Sequence, residues 1–134
     1  MNPRFLTLDE VLALHDDQIR HYGGSSSVRD IGLLQSAMGG AAATFGGAFL
    51  HDTLFEMGAA ILYGICRKRP FVDGNKRTAV ASALTFLEMN GVEIDADEDD
   101  FYDLVIGVAD GRVRRSGVAV FLADQRGTGP QNFV

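Results

Sequence analysis

Basic segments and cysteines are scarce in this sequence, and each scarcity excludes a class of protein. The 134 residues include 12 lysines and arginines against 18 aspartates and glutamates, a formal net charge of −6. Nucleic-acid-binding proteins usually carry a basic face, so no direct nucleic-acid partner is expected. The single cysteine, Cys66, excludes an internal disulfide, and its apolar helical surroundings predict a buried small residue.

Long apolar runs are missing too. No stretch reaches the roughly 20 apolar residues that a transmembrane helix needs, and no secretory signal peptide is visible at the N-terminus. We therefore expect a cytoplasmic protein without a membrane partner. The length is typical of one domain, and the 46% of apolar residues is enough for a core.

Strand patterns are short, whereas apolar residues recur at helical spacing along most of the chain. Thr7 and Glu10 form a capping-box pattern ahead of an apolar stripe that includes His15, which is expected to be a buried, hydrogen-bonded histidine. Arg29 and Asp30 are expected to form an ion pair or a cap. The predicted fold is all-α, with about six helices around a buried central helix. The first three predicted helices are 8–22, 28–38 and one from 52 or 53 to 69. The central helix has residues 74–77 at its N-terminus and ends at Asn90 and Gly91, the next begins at the acidic residues 95–100 and ends at Gly111, and the last is capped by Ser116.

The stretch 69–77 joins a tight polar loop to the start of that central helix. Residues 78–87 carry no charge and are apolar on every face, so this helix is predicted to be buried. A helix N-terminus offers free N–H groups and a positive dipole to an anion, and Lys76 and Arg77 add two positive charges. Asp73 is well placed to hold Mg²⁺ beside a bound phosphate. The stretch therefore predicts a site for Mg²⁺ and a nucleotide phosphate.

A simpler interpretation exists for part of this stretch. Asp73, Gly74 and Asn75 are common turn residues, and two cationic side chains on a first helical turn are often only solvated. The complete stretch is more specific, because Phe71 can anchor the loop in the core just before a buried helix.

The same stretch resembles the signature of the Fic/Doc family, His-x-Phe-x-Asp/Glu-Gly-Asn-Gly/Lys-Arg. Lys76 resembles the death-on-curing (Doc) branch, which belongs to toxin–antitoxin systems. Further Doc-like segments follow one another in the family's order, and the resemblance covers residues 5–124. Arg69 departs from the pattern, because the family has its catalytic histidine at this position. The further segments are 8–24, 29–34, 43–47 and 87–91.

The resemblance implies a Fic fold, ATP and Mg²⁺ as cofactors, and a role for each matching residue. Gly74, Asn75, Lys76 and Arg77 would bind the nucleotide phosphates, and Asp73 would hold the metal. Together with the residue at the histidine position, Asp73, Lys76 and Arg77 would carry the catalysis.

The Gly-rich segment 39–47 disfavours a stable helix, so it is predicted to be a flexible loop or a short hairpin. Composition alone favours a plain connector. The resemblance instead implies a flap beside the active site, whose edge pairs with an extended segment of the target. The flap residues are Thr44, Phe45, Gly46 and Gly47.

For function, the Doc resemblance implies a toxin that transfers the γ-phosphate of ATP to a hydroxyl of a translation elongation factor and so arrests growth. A cognate antitoxin would lie over the active site. A guanidinium stays protonated and cannot take the proton of that hydroxyl, so Arg69 predicts little or no activity. Whether Arg69 is natural or introduced stays open. The alternatives are a Fic-type AMP transferase, which usually has glycine at the position of Lys76, and a non-catalytic module that binds a nucleotide or a protein.

The predicted domain covers residues 1–126. The remainder, 127–134, is predicted to be a disordered tail.

Overall fold

The computed structural model describes residues 2–127, and this part of the chain is mostly helical. It contains six helices, which confirms the all-α prediction. A short hairpin with two residues in each strand lies between the second and the third helix. The elements are α1 (Leu8–Tyr22), α2 (Ile31–Gly39), β1 (Thr44–Phe45), β2 (Ala48–Phe49), α3 (Leu54–Lys68), α4 (Asn75–Met89), α5 (Glu98–Ala109) and α6 (Arg115–Asp124).

Capping side chains set where several helices begin. The predicted capping box of α1 is present, because the Thr7 side chain accepts from the Glu10 N–H and the Glu10 side chain accepts from the Thr7 N–H. Asp30 caps α2 by accepting from the Leu33 N–H, so this helix begins at Ile31 and not at residue 28 as predicted. The predicted cap at Ser116 is wrong as well, because α6 already starts at Arg115.

The helix at the centre of the fold is α3. It packs against α2, α4, α5 and α6, whereas α4, which the sequence pattern places at the centre, packs mainly against α1, α3 and α5. Nine of the 15 residues of α3 are buried, against seven of 15 in α4. Small residues allow this close packing: a Cβ on Gly58 would lie 3.3 Å from Leu87, and one on Gly64 would lie 3.1 Å from Ala37.

The hairpin prediction for the Gly-rich segment is confirmed. Thr44 pairs with Phe49 and Phe45 with Ala48, and the turn residues Gly46 and Gly47 have φ values of 60° and 82°. Positive φ at both central positions is what a two-residue hairpin of the I′ type requires, and glycine adopts it without strain. Phe45 is 84% exposed at the tip of the hairpin.

Aromatic contacts tie the base of the hairpin to the helices. The ring centroid of Phe49 lies 5.7 Å from that of Phe5, which in turn stacks on Phe86 at 5.7 Å. Phe86 is about 16 Å along α4 from Asn75, at 1.5 Å per residue. The contact of the hairpin with Phe5 and Phe86 is therefore far from the start of α4. That the hairpin forms a flap beside the 69–77 stretch stays a prediction.

The chain after α6 returns to the body of the protein. Ile94 and Arg126 form an antiparallel bridge, and the N–H of Gly127 donates to the carbonyl of Glu93 at 2.8 Å. Gly127, the first residue of the predicted tail, is buried. The rest of that tail, 128–134, lies outside the described residues.

Across residues 2–127, none of the helices has the length and apolar character needed to cross a membrane.

The close approach of α2 and α3 can be tested with a matched pair of substitutions. Gly64→Ala places a methyl group against the Ala37 backbone, whereas Gly39→Ala places it in open space. Both changes raise helix propensity, so Gly64→Ala should be less stable than Gly39→Ala by about 1–3 kcal/mol, the usual effect of overpacking. Urea denaturation measures the difference. Equal stabilities would contradict the packing described for Gly64.

Candidate active site

The stretch 69–77 forms the connection between the C-terminus of α3 and the N-terminus of α4. Arg69 ends α3 in the left-handed conformation, with φ 50° and ψ 60°, and its N–H donates to the Ile65 carbonyl. Among the described residues it is the only non-glycine with positive φ. This conformation costs a side-chain-bearing residue roughly 1–2 kcal/mol, so the surrounding structure must stabilise it.

Arg29, in the linker between α1 and α2, supplies part of that stabilisation. Its Nε donates to the Arg69 carbonyl at 2.8 Å, and its terminal Nη2 donates to the Lys68 carbonyl at 2.7 Å. A cation at the end of a helix also interacts favourably with the helix dipole. A cap is one of the two roles predicted for Arg29, at the start of α2. In the structure its side chain caps the C-terminus of α3 instead.

The backbone of the same linker pairs with the loop. The N–H groups of Arg29 and Asp30 both donate to the Pro70 carbonyl, at 2.8 and 3.0 Å, and the Val72 N–H donates to the Ser27 carbonyl at 3.1 Å. These bonds join residues that are 40 to 45 positions apart in the sequence. The linker therefore determines the course of the loop.

Phe71 anchors the loop in the core, as predicted, and is 1% exposed. The ring of His15 stacks on it, with centroids 3.7 Å apart and an angle of 6° between planes. The Nε2 of His15 lies 2.8 Å from the Asp73 carbonyl, and because a carbonyl only accepts, Nε2 carries the proton. His15 is the buried, hydrogen-bonded histidine that its position on the apolar stripe predicts.

Asn75 has a different role from the one that the resemblance implies. Its side chain is buried, its Oδ1 accepts from the Phe71 N–H, and its Nδ2 donates to the Phe71 carbonyl, both at 2.9 Å. The amide group therefore closes the loop and does not point to a ligand. Only the backbone N–H of Asn75 remains for phosphate binding.

The N-terminus of α4 has the geometry of an anion site. Gly74 is the N-cap, with φ 80°, and a Cβ there would lie 3.1 Å from Cδ1 of Ile19, so only glycine fits without strain. The hydrogen-bonding pattern of α4 begins with the N–H of Thr78, which donates to the Gly74 carbonyl at 2.9 Å. The N–H groups of the first turn before Thr78 precede this bonding pattern and are available to an anion.

Three of the predicted site residues meet in a cleft of about 350 Å³ between α1 and the start of α4. They are Asp73, Gly74 and Arg77, and the cleft does not include Arg69, Lys76 or the hairpin residues. A larger groove of about 830 Å³ lies between α3 and α6, but it contains no predicted site residue. The smaller cleft is lined by Gln18, Ile19, Tyr22, Gly23, Gly24, Asp73, Gly74 and Arg77.

Contacts across this cleft set the positions of its charged groups. The Asp73 carboxylate accepts from the Ser25 N–H at 2.7 Å through Oδ2. The guanidinium carbon of Arg77 lies 3.8 Å from the centroid of the Tyr22 ring, in a cation–π contact. Gly24, at φ 108°, leaves room for Asp73, because a Cβ there would lie 3.1 Å from the Asp73 Cβ. Tyr22 and Gly24 are not among the predicted site residues, because in the sequence the Gly23–Gly24 pair signals only the end of α1.

Lys76 is exposed on the first turn of α4, and its charge reaches the buried Cys66. Burial raises the pKa of the Cys66 thiol to about 12, and the positive charge of Lys76 acts in the opposite direction. Cys66 is therefore a protonated core residue and not a nucleophile near the site.

The residues present fit a Mg²⁺ ion only if a ligand supplies further oxygens. No group of three or more histidine, cysteine, aspartate or glutamate residues that would hold a metal occurs in the part of the chain that the structure describes. Asp73 is exposed, and only its Oδ2 accepts a described hydrogen bond. Mg²⁺ typically takes one or two carboxylates together with phosphate oxygens and waters, so a lone Asp73 is compatible with a metal that arrives with a nucleotide.

The loop-closing role of Asn75 can be measured as stability. Asn75→Ala leaves the N–H and the carbonyl of the buried Phe71 without partners, so we expect a loss of about 2–4 kcal/mol in the free energy of unfolding. Asn75→Asp keeps the acceptor but removes the donor, and should also destabilise. The control is Gln35→Ala, at an exposed position of α2, which should change stability by less than about 0.5 kcal/mol, as surface changes usually do. Indistinguishable denaturation midpoints for Asn75→Ala and the control would contradict this role.

Comparisons with known proteins identify the family of the chain. Residues 5–87 match the family model described as the Fic/DOC family. The chain is 39% identical over 116 residues to protein kinase doc of Escherichia phage P1, covering 87% of this chain and 90% of that protein. It is 46% identical over 78 residues to toxin Doc of Mycolicibacterium smegmatis, covering 58% of this chain and 60% of that protein. The chain therefore belongs to the Fic/Doc family, in its Doc branch.

Proposed function

We propose that this chain is a Doc-type toxin whose site is built to transfer the γ-phosphate of ATP to a protein hydroxyl, and that Arg69 leaves it with little or no activity. The observation that carries the proposal is the cleft in which Asp73, Gly74 and Arg77 meet at the N-terminus of α4. The name of the phage relative, protein kinase doc, supports phosphate transfer. The second relative's name, toxin Doc, supports the biological role.

Phosphate binding is assigned to the first turn of α4. Phosphoryl transfer depends mainly on positioning and on neutralising charge, and a helix N-terminus provides both without a covalent step. Arg77 reaches the same cleft and can bind phosphate oxygens with two N–H groups at once. Lys76, on the same turn, contributes a point charge.

A Mg²⁺ ion would be held by Asp73 together with the phosphates. The Ser25 N–H binds Oδ2 of this carboxylate at 2.7 Å, so Oδ1 is the oxygen that we assign to the ion. When bound, the ion would neutralise part of the charge on the phosphate oxygens. The carboxylate thus contributes to binding only once a nucleotide is present.

The missing function is that of the general base. The guanidinium of Arg69 stays protonated, and losing a general base typically reduces the rate by about 10²–10⁴-fold. Arg69 is exposed at the end of α3, so its charge is available to a phosphate. The chain would then bind ATP without efficient turnover.

Two protein partners belong to this proposal. One is a cognate antitoxin that covers the active site. The other is a translation elongation factor that presents the acceptor hydroxyl. The hairpin edge at Thr44 and Phe45 would pair with an extended segment of that target, and the exposure of Phe45 supports such a contact.

The decisive substitution is Arg69→His. Histidine tolerates the left-handed conformation better than most residues, so the change should cost little stability. A neutral imidazole near pH 7 can accept the hydroxyl proton, so Arg69→His should restore transfer. When both proteins are expressed without antitoxin at matched levels, the Arg69→His variant should arrest growth and the unaltered chain should not.

The control for this experiment is the double variant Arg69→His, Asp73→Asn, which keeps the imidazole but removes the carboxylate. It should not arrest growth. Mass spectrometry of the modified protein identifies the group, because phosphate adds about 80 Da and AMP about 329 Da. A gain of AMP would replace the proposal with a Fic-type AMP transferase. A folded Arg69→His protein that modifies nothing would favour a non-catalytic binding module.

Nucleotide binding gives a second test that does not depend on turnover. Arg77→Ala should weaken the binding of ATP with Mg²⁺ by about 1.5–3 kcal/mol, the range for a charged hydrogen bond. Arg20→Ala is a matched control, because Arg20 is exposed on α1 and pairs with Asp16. Isothermal titration calorimetry compares the variants. Equal affinity for Arg77→Ala and the unaltered chain would rule out this phosphate assignment.

A further inference from the structure

We infer that Arg29 is a positioning residue that fixes the direction of the side chain at position 69. The inference deepens the proposed function, because it concerns the position at which the family has its base. Residue 69 must meet two opposing requirements at the end of α3. Helices that end in the left-handed conformation usually do so at a glycine, but a glycine at position 69 would leave no side chain for the reaction.

Arg29 contacts three consecutive carbonyl groups at this helix end. Its guanidinium donates to Lys68 and Arg69, and its backbone N–H donates to Pro70, at distances between 2.7 and 2.8 Å. Within residues 2–127, no carboxylate forms an ion pair with Arg29. Its donors are therefore directed to this helix end.

The geometry of these bonds fixes the backbone of residue 69. The Lys68 carbonyl belongs to the peptide plane before the Cα of residue 69, and the Arg69 carbonyl belongs to the plane after it. The relative orientation of these planes is defined by φ and ψ of residue 69 alone. A planar guanidinium that binds both carbonyls therefore restrains both angles at once.

The consequence for the site follows from the covalent geometry. With φ and ψ fixed, the Cα–Cβ bond of residue 69 has one direction relative to α3 and to the following loop. A group that must accept a proton needs such a fixed direction, because small misplacements of catalytic groups reduce rates strongly. Lysine would not substitute fully, since a single ammonium lacks the two-pronged planar geometry.

Hydrogen exchange of the unaltered Arg69 chain tests the positioning without any activity. In Arg29→Ala, the Arg69 N–H, which donates to Ile65, should exchange at least about tenfold faster through local opening. The Thr78 N–H, which donates to Gly74, should change by less than about twofold. Arg29→Lys should fall between, and Arg20→Ala should leave both groups unchanged. Equal acceleration at Arg69 and Thr78 would indicate only a general loss of stability and would overturn the inference, as would no change at Arg69.

Kinetics in the Arg69→His background provide the second readout. Adding Arg29→Ala should lower kcat by about tenfold or more while KM for ATP stays within about twofold, because the base and not the phosphate site is displaced. Arg29→Lys should recover part of kcat. An unchanged kcat would overturn the inference. If Arg69→His is itself inactive, the proposed function fails, and the exchange experiment still decides whether Arg29 positions residue 69.

Discussion

The constraint on which this site depends is the pairing of the α1–α2 linker with the loop after α3. The loop runs between two buried helices and has few bonds of its own, so its course is set by the carbonyl of Ser27, the N–H groups of Arg29 and Asp30, and the Arg29 guanidinium. The same linker reaches Asp73 through the Ser25 N–H. One short segment therefore positions both the end of α3 and the carboxylate ahead of α4.

Side chains on the core side of the 69–77 loop also hold it in place. His15 stacks on Phe71 and donates to the Asp73 carbonyl, and Asn75 bonds both backbone groups of Phe71. The groups of Phe71 and Asn75 are buried, where an unpaired donor or acceptor is unfavourable by roughly 1–3 kcal/mol, so their pairing has little freedom to change. A rigid loop is what an anion site at a helix N-terminus requires, because the donors act without reorganising.

The sequence predicted where the helices lie along the chain better than it predicted which helices and side chains contact each other. Thr7, Glu10 and the apolar stripe located α1, because these signals lie within a few residues of each other. For the same reason the sequence grouped Asp73, Gly74 and Arg77, which line one cleft in the structure. The contacts of Tyr22 with Arg77 and of Arg29 with the end of α3 join residues about 40 or more positions apart, so local sequence patterns do not reveal them. Asn75 bonds Phe71, only four residues away, but this pairing depends on the conformation of the loop between them. Helical spacing shows which face is apolar but not which helix covers it, so α3 was not recognised as the centre.

Arg69 has a backbone conformation that is unfavourable for a residue with a side chain, and the hydrogen bonds of Arg29 stabilise it. On the proposed function, its guanidinium adds a third positive charge to those of Lys76 and Arg77, with Asp73 as the carboxylate of the loop. Added charge strengthens phosphate binding before and during transfer alike. Such uniform binding does not raise kcat, because only interactions that are stronger in the transition state accelerate the reaction. On this proposal, an arginine at position 69 favours retention of the nucleotide, and tighter binding does not replace the proton acceptor that the family has there.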